Sequence, residues 1–174
     1  MKRANGSLTG GTGDVNPQYM HLTATQSAAD TSTTTAFPIP IQRMPDGRTA
    51  QVMEILKIFY TVASPPVETD NNLSIFISTS SYGTTATNYA EPRVFGAYLR
   101  FIYITTSGMI LNEQPYSQDL MDGAGHGYLV ATDNLYVQIN SAGTSLANVA
   151  RIKILYRWKN VHLAEYIGIV QSQQ

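Results

Sequence analysis

Arg151-Ile152-Lys153-Ile154-Leu155-Tyr156-Arg157-Trp158-Lys159 alternates basic and apolar side chains with a period of two. An extended backbone sends successive side chains to opposite faces. Ile152, Ile154, Tyr156 and Trp158 then form one apolar face fit for a core. Arg151, Lys153, Arg157 and Lys159 line the other, with Leu155 in their midst. The β-rich run extends from Val149 to His162 and predicts the strongest strand of the chain. At about 3.3 Å per residue the four cations span roughly 25 Å. Three uses fit such a row. It can neutralise phosphates, with the salt sensitivity of counterion release. It can guard an exposed sheet edge, or pair with acidic residues of a neighbouring copy.

Outward from this run the signals stay β-like. Tyr19–Thr25, Leu73–Ser80 and Ala97–Thr106 are rich in β-branched and aromatic residues. Thr35–Arg43 holds Pro38 and Pro40 and is at best an extended edge segment. Gln51–Ala63 is ambiguous: Val52, Ile55, Leu56 and Phe59 have helical spacing, whereas Ile58, Tyr60 and Val62 alternate. Strand is preferred, since no helix start signal precedes it. Tyr128–Thr132 and Leu135–Asn140 flank Asp133-Asn134, a two-residue hairpin signal. With Tyr116–Met121 as a weak strand, about eight strands and no long helix are expected. Tyr166–Val170 reads as a last strand or extended tail. Long connections at Ser64–Asn72, Tyr82–Gly96, Ser107–Gly127 and Ala142–Asn148 complete an all-β double-sheet sandwich over residues 17–174. Residues 1–16, Gly/Thr-rich with little to bury, are expected to be a flexible arm.

The chain has 174 residues, enough for one domain. Only 13% are charged, about half the usual share, so the surface is weakly guarded against association. That points to a protein packed against copies of itself. The formal net charge is −1, yet the charge is polarised along the chain. Phe101–Ala150 carries Glu113, Asp119, Asp122 and Asp133 and no Lys or Arg, and the basic run follows directly. The absence of cysteine excludes a disulfide framework, Cys-ligated zinc and a thiol nucleophile. Neither a signal peptide nor an apolar stretch of membrane-spanning length is expected.

Catalytic patterns are missing, and no enzyme activity, cofactor or metal site is expected. His21, His126 and His162 are far apart and lack metal-ligand spacing. Gly123-Ala124-Gly125-His126-Gly127 is glycine-rich, but a phosphate loop follows a strand and opens a helix, whereas this segment precedes a strand. It reads as a flexible connection. Asp119, Asp122 and Asp133 match no calcium-loop spacing, and no Gly-x-Ser-x-Gly elbow is present. Tyr82, Tyr89, Phe95 and Tyr116, in the long loops, are the natural anchors of a subunit interface, because aromatic rings bury a large area at low rotamer cost.

RIKILYRWKNVHLAEYIGIVQSQQ at Arg151–Gln174 resembles the C-terminal end of coat proteins from small circular single-stranded DNA viruses that encode a replication protein (CRESS-DNA viruses). DGAGHGYLVATDNLYVQIN at Asp122–Asn140 carries the same resemblance, and Val52–Tyr60 and Tyr98–Ile104 do so more faintly. The resemblance implies an eight-stranded antiparallel jelly roll. It also implies self-assembly into an icosahedral shell of about sixty copies around a circular single-stranded DNA genome. The setting would be a virion assembled inside the host cell and directed to a host receptor. The family usually carries an Arg-rich N-terminal arm, whereas only Lys2 and Arg3 precede the glycine-rich segment here. Either the arm is short, or part of it has been removed, or the packaged charge is met elsewhere, with Arg151, Lys153, Arg157 and Lys159 as the candidate contacts for nucleic acid. The alternative is a secreted β-sandwich binding module, carbohydrate-binding or trimeric and ligand-like, with exposed Tyr and Trp158 stacking on sugars. A cupin-like enzyme comes third and requires His21, His126 and His162 to converge.

Overall fold

The computed structural model of the chain describes residues 16–39, 47–63, 70–85, 87–113 and 117–173. Its elements are β1 (Gln18–Thr25), β2 (Ser32–Pro38), β3 (Thr49–Ala63), β4 (Asn71–Ser78), β5 (Val94–Thr105), β6 (Gly108–Glu113), β7 (Ser117–Asp119), β8 (Tyr128–Val130), β9 (Asn134–Ala142), β10 (Val149–His162) and α1 (Leu163–Gln173). The first sheet runs β1-β10-β3, and both β7 and β8 pair with the far side of β3. The second runs β2-β9-β4-β5-β6. Every pairing is antiparallel. Strands β1, β10, β3 and β7/β8 face β2, β9, β4 and β5, which is the jelly roll expected. The strand count rises from eight to ten, because two short strands share one position and β6 widens the second sheet.

The alternation of β10 places its apolar face as expected. Ile152 and Ile154 are buried and meet Ile58 and Tyr60 of β3 and Leu22 of β1 across from Ile75, Ile77, Leu135, Val137 and Ile139. Each such aliphatic side chain contributes at most about 1.5–3 kcal/mol. Tyr156 and Trp158 pack against the same core and meet edge to face at 5.6 Å. Tyr60 and Tyr98 stack across the two layers at 5.8 Å.

The ambiguity of Gln51–Ala63 has a physical origin. The first half of β3 is covered on both faces: Met53 and Ile55 enter the main core, and Val52 enters a second cluster outside the sheet. A strand buried on both faces loses its alternation and mimics helical spacing. A bulge leaves Leu56 without a partner on β10, since Leu155 pairs with Lys57 and Tyr156 with Ile55.

Three sequence expectations are corrected. Asp133-Asn134 joins no hairpin, because β8 pairs with β3 while β9 lies between β2 and β4. Val130 and Leu135 enter the core from opposite layers, so the chain crosses the sandwich between them. The Ser107–Gly127 connection contains β6, hairpin-paired with β5 through Thr105↔Gly108, while β7 falls within Tyr116–Met121, where a weak strand was expected. Finally, the segment read as a last strand is helix α1. Tyr166, Ile169 and Val170 fall on one helical face and pack on Val52, Ala131 and Val161. The arm at 1–16, apart from Asn16, and most of the Ser64–Asn72 connection lie outside the described residues.

Gln173 fastens the end of α1. It is 4% exposed. Its Oε1 accepts from the backbone N–H of Ala131 at 3.0 Å, and its amide nitrogen donates to the carbonyl of Leu129. The Ser80 hydroxyl donates to the Gln173 carbonyl at 3.1 Å, tying the helix to the second sheet. Gln173→Ala strands a buried N–H and should cost about 1–3 kcal/mol in urea unfolding. An unchanged midpoint would show that α1 adds nothing to the sandwich.

Candidate assembly and nucleic-acid interfaces

The outward face of the first sheet carries the basic row. Arg151, Lys153, Arg157 and Lys159 share it with Tyr19, His21 and Thr23 of β1 and with Glu54, Lys57, Phe59 and Thr61 of β3, by strand register. β10 is flanked by both β1 and β3 from Val149 to Tyr156. Over that stretch the cations stand on a sheet face, so they do not guard an edge. Arg157–His162 have only β3 as a partner among the described residues.

The row divides in two. Glu54 lies directly opposite Arg157, and its side chain is fully buried. It accepts from Arg157 Nε and, at 3.1 Å, from the backbone N–H of Gly127, and Lys159 Nζ stands 3.9 Å away. Burial alone pushes the Glu54 pKa up. The Arg157 hydrogen bond, the Gly127 N–H and the two positive charges together hold it below the ordinary glutamate value. Arg157 and Lys159 are thus engaged within the chain, whereas Arg151 and Lys153 form no ion pair among the described residues. Lys153 Nζ lies 3.9 Å from the Tyr19 ring centroid, and Lys57 Nζ lies 5.5 Å from that of Phe59.

The glycine-rich segment closes over Glu54. A Cβ at Gly127 would sit 2.2 Å from the Ile55 carbonyl oxygen, so only glycine permits this approach. Gly125, at φ 83°, turns its carbonyl to accept from Arg157 at 3.2 Å. Asp122 accepts from the backbone N–H groups of Ala124 at 2.9 Å and His126 at 2.8 Å, and meets His126 Nδ1 at 3.1 Å. The His126 N–H, together with the other bonds, holds the Asp122 carboxyl below the usual aspartate value. Its acid organises the loop. The segment is pinned, not merely flexible as its composition suggests.

His21 and His162 lie on the outer face and at the end of the first sheet. His21 pairs with Lys153, which is nine residues from His162, roughly 30 Å along β10. Among the described residues no three His, Cys, Asp or Glu side chains form a group that could hold a metal.

The expected interface aromatics separate. Tyr89 is 56% exposed, and Tyr82, in the same loop, is half-buried. That loop is held by buried Gln138, whose amide nitrogen donates to the carbonyls of Gly83 at 3.3 Å and Thr85 at 2.8 Å. Its Oε1 accepts from the Thr87 N–H at 3.0 Å. Phe95 is instead within β5, 5% exposed and stacked on Tyr128 at 4.6 Å, so it is a core residue and not a loop anchor. Trp158, half-buried on the core side, is not presented as a sugar platform. Tyr116, Lys2 and Arg3 lie outside the described residues.

Sequence reasoning missed the β5–β6 hairpin. Tyr103, Ile104, Met109, Ile110 and Leu111 are each 41–60% exposed. Ile104, Met109 and Leu111 continue the face on which Ile102 enters the core, and Tyr103 and Ile110 share the opposite one. Residues 101–112 contain no charge. The available signal was Met-Ile-Leu after Gly108, too short a run to outweigh the polar residues around it.

No family model and no curated protein matches the sequence. Solved structures do match by fold. VP1 of trichodysplasia spinulosa-associated polyomavirus, in complex with 3'-sialyllactose, superposes with a TM-score of 0.56 at 12% identity, over 87% of this chain and 97% of that one. Apo VP1 of New Jersey polyomavirus gives 0.54 at 10% identity, over 84% and 100%. Both are viral capsid proteins, and at such identity it is the fold that is shared.

Glu54→Gln removes the partner of Arg157 beneath the glycine-rich loop. It should cost about 2–3 kcal/mol at neutral pH. Because the folded pKa is depressed, the contribution of Glu54 is present above the unfolded value near 4.3 and is lost as pH falls through the folded value. The variant should therefore lose less stability than the parent as pH falls below about 4.3. Parallel acid profiles would show that the ion pair does not hold the loop.

Proposed function

We propose that the chain is a viral coat protein that self-assembles into a small icosahedral shell around a circular single-stranded DNA genome. The observation that carries this reading is the tip of the β5–β6 hairpin, where residues 101–112 carry no charge and five large apolar side chains are half-exposed on a jelly roll. Soluble monomers seldom leave such a strip uncovered, and an open strand edge without charge or proline invites pairing with another chain. The 13% charged composition favours close packing of copies. The fold shared with polyomavirus VP1 supports the capsid role. The resemblance at Arg151–Gln174 and Asp122–Asn140 supports the single-stranded DNA class.

In this reading the function is mechanical. The sandwich is the wall unit, the hairpin and the Tyr82–Tyr89 loop contact neighbouring copies, and basic side chains including Lys2 and Arg3 meet the genome. The virion is the resulting location, the shell being built inside the host cell and recognising a host receptor.

The test is electron microscopy of the purified chain beside the double variant Ile104→Ser/Ile110→Ser. The parent should give round, uniform particles. The variant alters only exposed side chains, so it should keep the parent's circular dichroism and form no particles. A parent that never forms particles removes the coat-protein reading, and normal particles from the variant take the hairpin out of the contacts.

A further inference from the structure

We infer that the outward face of the first sheet is a binding site for single-stranded nucleic acid, in which Tyr19 and Phe59 stack on unpaired bases and Arg151, Lys153 and Lys57 hold the backbone phosphates. The inference deepens the genome-enclosing role proposed above and rests on it for the identity of the strand. It replaces an undivided four-cation row with a smaller site of different chemistry.

The geometry begins with strand register. Tyr19 on β1 lies opposite Leu155 of β10, and Phe59 on β3 lies opposite Lys153. The two rings therefore flank β10, two strand spacings apart and offset by two residues, roughly 12 Å on the diagonal. Between them lie Lys153 and half-buried Leu155, a cation beside an apolar floor. His21, Thr23, Thr61 and exposed Arg151 extend this floor into an open groove of about 360 Å³. Phe59 and Lys153 also line it.

Charge selects the ligand. Arg157 and Lys159 are drawn to Glu54, so a ligand must compete with a buried carboxylate for them. Arg151, Lys153 and Lys57 form no ion pair among the described residues. Asp119 pairs in register with Lys57 and is the one carboxylate at this margin among the described residues, marking the acidic limit of the site. The outward residues of β1 in this region are Tyr19, His21 and Thr23, none of them acidic.

The aromatic rings select single strands over duplex. A cation row alone attracts any phosphate backbone, but stacking needs a base whose face is free. Tyr19 is 53% exposed, with Lys153 Nζ 3.9 Å from its ring centroid. Lys57 stands 5.5 Å from the Phe59 centroid in the same way. Each ring thus comes with its own cation. A base that stacks on the ring moves the ammonium group toward the phosphate of the same nucleotide. Such pairing is tolerant of sequence, since every base offers a π-face.

The experiment measures fluorescence anisotropy of an oligothymidylate of about twenty nucleotides and of a mixed-sequence duplex of similar length, titrated with the full chain over a range of salt. The parent should prefer the single strand. Tyr19→Leu/Phe59→Leu keeps the apolar bulk and removes the rings. It should weaken oligothymidylate binding roughly tenfold or more with the salt slope unchanged. Arg151→Gln/Lys153→Gln should flatten the slope by about 1.4. Arg151 is exposed and Lys153 half-buried on the outer face, so this variant should fold even if the ring variant does not. Ultraviolet cross-linking should place the oligonucleotide on Tyr19 or Phe59. Equal affinity for duplex, undiminished binding by the ring variant, or ring-dependent binding to anionic lipid vesicles in place of the oligonucleotide overturns the inference. Particles without oligonucleotide binding sink this site alone. Ring-dependent binding by a chain that never assembles sinks the coat-protein reading and leaves the site standing.

Discussion

The structure depends on β10 being dry on one side and charged on the other while neighbours pair with it on both edges. Ile152 and Ile154 tie the first sheet to the second through the core, and β1 and β3 take up the backbone groups of the same strand. No shift of register is allowed, because a slip of one residue would turn Arg151 and Lys153 into the core. The bulge at Leu56 absorbs the one mismatch along the way, and the outer face changes character there. On one side of it lie Tyr19, Phe59 and cations that form no ion pair among the described residues. On the other, Glu54 gathers Arg157 and Lys159 under the glycine-rich loop.

That division explains how a nearly neutral chain can carry a local basic site. The charges that could not be left bare beside a buried surface are compensated within the fold. Arg151 and Lys153 form no ion pair among the described residues. Gly127 makes the compensation possible, since its missing side chain lets the loop backbone reach both Ile55 and the Glu54 carboxylate. Across the sandwich, buried Gln138 performs a comparable service for the loop that bears Tyr82 and Tyr89.

Strands whose two faces differ in polarity were legible in the sequence. β10 falls at the residues expected, and β1, β4 and β5 fall within a few of them. Elements set by long-range packing were not. α1 has β-branched residues and Gly168 in its middle, and its helical face, Tyr166, Ile169 and Val170, acquires meaning only beside Val52 and Val161. Asp133-Asn134 has hairpin chemistry, yet the demand that Val130 and Leu135 face each other across the core overrides it. For the candidate site, the basic row could be placed on one face from its period alone. Its partition could not, because Glu54 is about a hundred residues away in sequence and nothing local marks it as buried. Phe95 was assigned to a loop for the same reason: the start of β5 is fixed by its pairing with β4.

If copies of the chain cover the apolar tip of the β5–β6 hairpin, the purified protein exists as an assembly of many chains. Mass photometry of the purified full chain, across dilution and ionic strength, tests that most directly. The account predicts a single narrow population at a large, fixed multiple of the 19.1 kDa chain mass. A species that stays at the mass of one chain under every condition would contradict it.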